Sequence, residues 1–158
     1  MTKVEPQNLL IRPAREEDVS AIAALLTDDP LGGHGDTTDP AALPDYLEAF
    51  RRIARSPNDT LYVAELAGEV VGTFQTTLIT SMTARGSSNL TVEAIQTRSD
   101  LRGKGIGAAM ILFAVGQGRE AGARLVQLTS NAKRVDAHRF YERLGFTRSH
   151  AGFKMKLR

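Results

Sequence analysis

Apolar and polar positions alternate with two different periods along this chain, and the switches between them mark its elements. Asn8 to Arg12 (NLLIR) reads as a strand stopped by Pro13. Arg15 to Thr27 changes to helical spacing, with Val19, Ile22, Leu25 and Leu26 as the buried stripe and Glu16, Glu17 and Asp18 in the first turn, where they suit the helix dipole. Asp28 to Pro40 (DDPLGGHGDTTDP) has too much Pro, Gly and Asp for regular structure and reads as a loop. Leu43, Leu47, Phe50 and Ile53/Ala54 line one face of a second helix, Leu43 to Arg55, with Pro44 tolerated in its first turn.

The period then changes to two. Thr60 to Leu66 and Glu69 to Leu78 predict a hairpin around Ala67-Gly68. A polar turn, Ile79 to Asn89, leads into Leu90 to Thr97 (LTVEAIQT), an alternating strand rich in β-branched residues. Ile106, Ala109, Met110, Phe113 and Ala114 return to helical spacing, broken at Gly122. Arg124 to Thr129 reads as a strand, Arg134 to Leu144 as a helix capped by Gly145, and Phe146 to Arg148 and Gly152 to Leu157 as two short final strands. Strands joined through one helix are normally parallel neighbours. The expected fold is therefore α/β (α+β): a mixed, mostly antiparallel sheet with a parallel pair and flanking helices, in a single domain over residues 1–158.

Composition narrows the function classes. The chain has no cysteine, which excludes disulfides, a cysteine nucleophile and thiolate metal sites. No metal-ligand spacing is visible. There is no 18-residue apolar run for a membrane helix, and MTKVEPQNLLIRPAREEDV has no signal-like apolar core, so a cytoplasmic protein away from membranes is expected. Net charge is only +2, but residues 1–97 hold 7 Lys/Arg against 14 Asp/Glu, and residues 98–158 hold 13 against 4. The cations of the second half are scattered without a basic run and aromatics are few, so no nucleic-acid partner is expected.

The basic half begins at Arg98-Ser-Asp-Leu-Arg-Gly-Lys-Gly-Ile-Gly-Ala-Ala-Met110, a glycine turn between a strand and a helix. Glycine lets backbone approach an anion, and first-turn N–H groups without helical partners point at it. A phosphate-binding loop of the Gly-Lys-Ser/Thr type fails, because Gly105 follows Lys104. The dinucleotide fingerprint G-x-G-x-x-G/A matches Gly103, Gly105 and Ala108, but the acidic residue expected about 20 positions on is absent. Arg102-x-x-Gly105-x-Gly107 instead resembles the pyrophosphate motif Q/R-x-x-G-x-G/A of the GNAT superfamily of acetyl-CoA-dependent N-acetyltransferases. Ala137-His-Arg-Phe-Tyr-Glu-Arg-Leu-Gly-Phe146 is similar to that family's A-x-x-F-Y-x-x-x-G-F signature, and the element order agrees over nearly the whole chain.

The resemblance implies direct attack of an amine on acetyl-CoA through a tetrahedral intermediate, with no metal and no acyl-enzyme. It implies that backbone groups from Arg102 to Ala108 (Arg102, Gly103, Lys104, Gly105, Ile106, Gly107, Ala108) hold the pyrophosphate. Ile95 and Thr97 would take the pantetheine arm as an added strand does, with the Ile95 N–H as oxyanion donor. Asn131 falls where the family often touches CoA, although a helix-capping role suits it equally. Tyr141 falls at the general-acid tyrosine, while also lying on the apolar face of its helix. An alkyl amine with a pKa of about 10.4 is neutral about once in 2,500 molecules at pH 7, so a base is useful. Glu93, two and four residues before Ile95 and Thr97 and read as sharing their face, is the candidate; burial would tune it for the task, and a solvated or ion-paired glutamate is the competing reading. His138, three residues before Tyr141, reads as a partly exposed structural histidine rather than an assisting group, His34 reads as solvent-facing as readily as lining the acceptor site, and His150 has no assigned role. Asp28, Asp29, Asp36, Asp39, Asp45 and Glu48, with no Lys or Arg among residues 28–48, suggest a cationic acceptor amine, against a simply solvated acidic loop. Homodimerisation is implied by the family alone. The alternative is a non-catalytic acyl-CoA-binding or sensor module that keeps the cradle and loses acid and base.

Overall fold

The computed structural model describes residues 8–29, 31 and 34–158; Pro30, Gly32 and Gly33 of the predicted loop lie outside them. Five strands lie side by side in sequence order: β1 (Leu9–Pro13), β2 (Asp59–Leu66), β3 (Glu69–Thr80), β4 (Ser88–Thr97) and β5 (Leu125–Leu128). The first four pair antiparallel and β4–β5 pairs parallel, as the crossover rule requires. Four helices flank this sheet: α1 (Val19–Thr27), α2 (Leu43–Arg55), α3 (Ile106–Glu120) and α4 (Val135–Arg143).

Helix α3, the crossover, carries the core of one face. Ile106, Met110, Ile111 and Ala114 are fully buried against Phe74, Val92 and Ala64. Tyr62 and Phe74 stack at 4.9 Å, and Phe113 meets Tyr62 edge-on at 5.3 Å. A Cβ on Gly118 would stand 2.9 Å from Val126, so this glycine sets how closely α3 lies on β5. On the opposite face α1 buries Val19, Ile22, Ala23 and Leu25, close to its predicted stripe. Helix α2 buries no residue fully, although Tyr46, Phe50 and Ile53 point inward and are half-covered.

Three boundaries depart from expectation. The β3–β4 hairpin extends to Thr80 and Ser88, shrinking the polar turn, because the cross-strand pairs Ile79–Asn89 and Thr80–Ser88 continue the ladder. A short turn, Glu16–Asp18, precedes α1. The two final strands do not form. Residues 146–158 carry no strand, and Phe153, Met155 and Leu157 are 94%, 86% and 91% exposed. Their alternation is strand-like, but a strand exists only with a partner, and none of the described segments pairs with this one.

The first strand is tied to α1 by an ion-pair fork. Arg12 donates to both carboxylate oxygens of Asp18 (2.7 and 3.0 Å) and to Glu65 (2.9 Å), and the Arg15 N–H adds a bond to Asp18 (2.7 Å). The Arg12 fork holds the Asp18 carboxyl below the usual carboxylate range, against the opposing effect of burial. A depressed carboxylate pKa adds stability that is complete above the unfolded-state value, about 3.9, and is lost as pH falls through the folded-state value. We therefore expect Asp18→Asn to cost about 2–4 kcal/mol at pH 7 in denaturant unfolding. The cost should shrink as pH falls through the depressed folded-state value.

Candidate functional site

Pairing between β4 and β5 spans only Asn89–Leu125 to Val92–Leu128. Strand β4 runs on to Thr97, so Glu93–Thr97 has no strand neighbour on the β5 side. The register against β3 slips at the same place. Gln75 faces Glu93 and Thr73 faces Gln96, which leaves Ala94 and Ile95 together opposite Phe74. Ala94 takes φ 52°, a left-handed conformation that costs a non-glycine residue about 1 kcal/mol or more. This is a β-bulge; bulges bend the strand and re-aim its side chains. Here the bulge lies where the parallel pair parts.

The bulge corrects the expected placement of Glu93. Simple alternation puts Glu93, Ile95 and Thr97 on one face. The extra residue shifts the phase. Ile95 packs against the core cluster that α3 completes, and Thr97 Oγ1 lies 3.8 Å from the position of a Cβ on Gly107. Glu93 instead neighbours Gln75, which lines the α1–α2 face. It is also exposed, and so lacks the burial expected of it.

The glycine turn follows directly. Gly103 (φ 76°) and Gly105 (φ 91°) both hold left-handed backbone, and Gly105 caps α3. The first closing bond of α3 runs from the Ala109 N–H to the Gly105 carbonyl (3.0 Å), so the N–H groups of Ile106, Gly107 and Ala108 have no acceptor within the helix. Nothing lies within 4 Å of a Cβ built on Gly103 or Gly105, and the nearest atom to one on Gly107 is Phe140 Cζ at 3.5 Å. The space over the turn is thus open, and its free donors suit a phosphate-bearing ligand. Arg102 bends back, donating to the Thr97 carbonyl (3.2 Å) and the Asp28 carbonyl (3.4 Å), while Lys104 is half-buried at the turn.

Tyr141 lies on α4, edge-on to Phe140 (5.2 Å) and Phe146 (6.0 Å). Its phenol has no hydrogen-bond partner among the described residues and is not sealed from solvent. Burial pushes its pKa up and the nearby Arg134 charge pulls the other way, with a net rise that keeps it protonated at neutral pH. Asn131 accepts from the Lys133 N–H (2.9 Å), and its carbonyl contacts His138 Nε2 (2.9 Å), so both shape the turn before α4. His34 is exposed, and His150 contacts its neighbour Ser149.

One residue of this region had no sequence signal for its role. The side chain of Asp29, 8% exposed, accepts from Arg134 (2.6 and 2.8 Å) and from Gln96 (3.0 Å). It ties the end of α1 to β4 and to the start of α4, on either side of the parted strands. Burial alone would raise its pKa, but the bonds from Arg134, the Leu31 N–H and Gln96 hold it below the usual carboxylate range. No group of three or more His, Asp or Glu that could hold a metal exists among the described residues, and no described helix is long and apolar enough to cross a membrane.

Comparison with known proteins agrees with this geometry. The model of the acetyltransferase (GNAT) family matches residues 19–146. A solved structure named as a transcriptional regulator from Bacillus halodurans C-125 superimposes with a TM-score of 0.91 at 38% identity, covering 94% of this chain and 99% of that one. The aminoalkylphosphonate N-acetyltransferase of Salmonella typhimurium is 46% identical over 57 residues, 36% of this chain and only 37% of the relative's length. The uncharacterized N-acetyltransferase YjgM of Escherichia coli is 29% identical over 149 residues, covering 92% of this chain and 86% of that protein.

Proposed function

Because this chain belongs to the GNAT acetyltransferase family and is an acyltransferase by that membership, we propose that it moves acetyl from acetyl-CoA directly to a primary amine of a small molecule or peptide. The observation that carries this reading is the parting of β4 from β5 at the Ala94 bulge, directly before the glycine turn. The unpaired edge of β4 from Glu93 to Thr97 suits a pantetheine arm, since an extended amide chain hydrogen-bonds to such an edge. The free N–H groups of Ile106, Gly107 and Ala108, with the backbone from Arg102 to Gly105, suit the pyrophosphate. In this account the amine adds to the thioester carbonyl, the Ile95 N–H donates to the developing oxyanion, and Tyr141 protonates the leaving thiolate. Glu93, on the α1–α2 face, takes the proton released by the amine, directly or through water.

The Salmonella typhimurium and Escherichia coli relatives are named as N-acetyltransferases, which supports the enzyme over a silent binding module, although the Bacillus halodurans structure is named as a transcriptional regulator. Acidic residues between α1 and α2 favour a cationic acceptor. The test is release of CoA thiol from acetyl-CoA in the presence of an amine panel, followed with a thiol-reactive dye to which this cysteine-free chain contributes nothing. We expect release with at least one amine class, and a fall in kcat of about 100-fold or more in Tyr141→Phe. Turnover with no amine despite acetyl-CoA binding would contradict the reading.

We also infer a homodimer, on the strength of the unpaired tail. The Phe146 N–H donates to the Tyr141 carbonyl (3.1 Å), but beyond it no backbone group of 147–158 hydrogen-bonds within the described chain. The outer edge of β5 is equally unpaired among the described residues, where β4 is its one neighbour. The tail holds Arg148, Lys154, Lys156 and Arg158 and no acid, whereas residues 1–97 are net acidic. A second copy offers both the open edge and the complementary charge. Light scattering should give twice the 17.1 kDa chain mass, and Phe153→Asp with Leu157→Asp should give the single-chain mass. A wild-type monomer, with the tail free or folded onto its own β5, would overturn the assembly.

A further inference from the structure

Between helix α1, helix α2 and the sheet on which both pack lies a pocket of about 120 Å³. Its walls are apolar: Ile22 and Leu26 from α1, Phe50 and Ile53 from α2. Gln75 and Ala94 close its end at the strands. Ala94 is the bulge residue, and Gln75 is the cross-strand partner of Glu93. The cavity therefore ends at the step in β4 where the acceptor nitrogen would lose its proton. Tyr46, also on the wall, donates its hydroxyl to Asp36 (2.8 Å) while accepting from the Thr37 N–H (3.1 Å).

Two features mark this as more than loose packing. Helix α2 has a continuous apolar stripe, yet none of its residues is fully buried, so a helix patterned for a core leaves its own core unfilled. The void is also continuous with the reactive strand rather than isolated among the helices. The pocket is open to solvent on one side and mostly apolar within, and its volume is close to that of an engineered cavity of about 150 Å³ that takes up benzene.

We propose that this cavity binds the carbon skeleton of the acceptor, so that the protein selects primary amines carrying an unbranched aliphatic or small aromatic arm of about five or six carbons. The proposal rests on the acetyl-transfer reading and adds what the acceptor looks like away from its nitrogen. The arm fills the space between α1 and α2, while the nitrogen stays at the exposed strand end by Glu93 and the bulge. Polyhydroxylated amines have no counterpart for these walls, because burying an unpaired hydroxyl is unfavourable.

The experiment is kcat/KM for CoA release across the n-alkylamines from ethylamine to octylamine, with spermidine and an aminoglycoside as polar references. The expected result is a rise of about fourfold per methylene, the factor to which about 0.8 kcal/mol per buried CH2 converts. The rise should end at about five or six carbons, where the cavity is full. Ala49→Leu, which adds bulk to a residue lining the cavity, should move that optimum to shorter amines. A flat series, with turnover of a polar reference, would overturn the cavity proposal and leave the acetyltransferase reading standing. An optimum unchanged in Ala49→Leu would also overturn it. Absence of turnover with every amine would remove the acetyl-transfer reading itself, and this inference with it.

Discussion

One extra residue in one strand organises this protein. Ala94 has no counterpart on β3, and holding it at φ 52° costs free energy that the surrounding ladder must supply. The pairs flanking it, Gln75–Glu93 on one side and Thr73–Gln96 on the other, lock the irregularity in place. Its consequences reach both faces of the sheet. At the edge, β4 leaves β5 just past Val92–Leu128 and keeps a run of unpaired backbone. Across the faces, the phase shift sends Ile95 and Thr97 toward α3 while leaving Glu93 toward α1 and α2. In the proposed reaction, donor and acceptor therefore approach one strand from different directions and meet at the step.

The elements around the step hold it open by different means. Helix α3 is fixed by close packing, with Met110 and Ile111 sealed and Gly118 against β5, so the glycine turn at its start cannot drift. The start of α1 is fixed by the Arg12–Asp18–Glu65 pairs, and its end by Asp29, whose carboxylate joins Gln96 on β4 to Arg134 before α4. Buried and partly buried pairs of this kind contribute little net stability, but losing one partner is costly, so they act mainly to fix position. Tyr141 is the complement: a phenol packed by aromatic rings with no partner for its oxygen among the described residues.

Much of this was legible from residue patterns, and what was not has definite physical causes. The order of strands and helices followed from the change between periods of two and 3.6, and the turn before α3 from glycines whose positive φ leaves a mark in the sequence. The bulge left none, because its left-handed residue is an alanine that looks like any strand residue; Glu93 was accordingly assigned to the wrong face. The Asp29–Arg134 contact joins positions 105 residues apart and has no local signature. The space under α2 was hidden for the opposite reason, since an apolar stripe predicts a buried helix and cannot tell a filled core from an open one. The tail repeats that lesson at the level of backbone: Phe153, Met155 and Leu157 alternate as a strand does, but pairing needs a partner that the described residues do not supply.

The most direct test of this account is to delete Ala94. Without it Ile95 faces Phe74 alone, and the β3–β4 ladder becomes regular while every neighbouring residue keeps its face. Acetyl-CoA affinity would be measured by calorimetry, with thermal unfolding as the control for folding. The account predicts a folded protein at least as stable as the wild type, with acetyl-CoA affinity lower by about tenfold or more, the equivalent of about 1.4 kcal/mol or one to two backbone hydrogen bonds. A folded variant that bound acetyl-CoA as tightly as the wild type would contradict it.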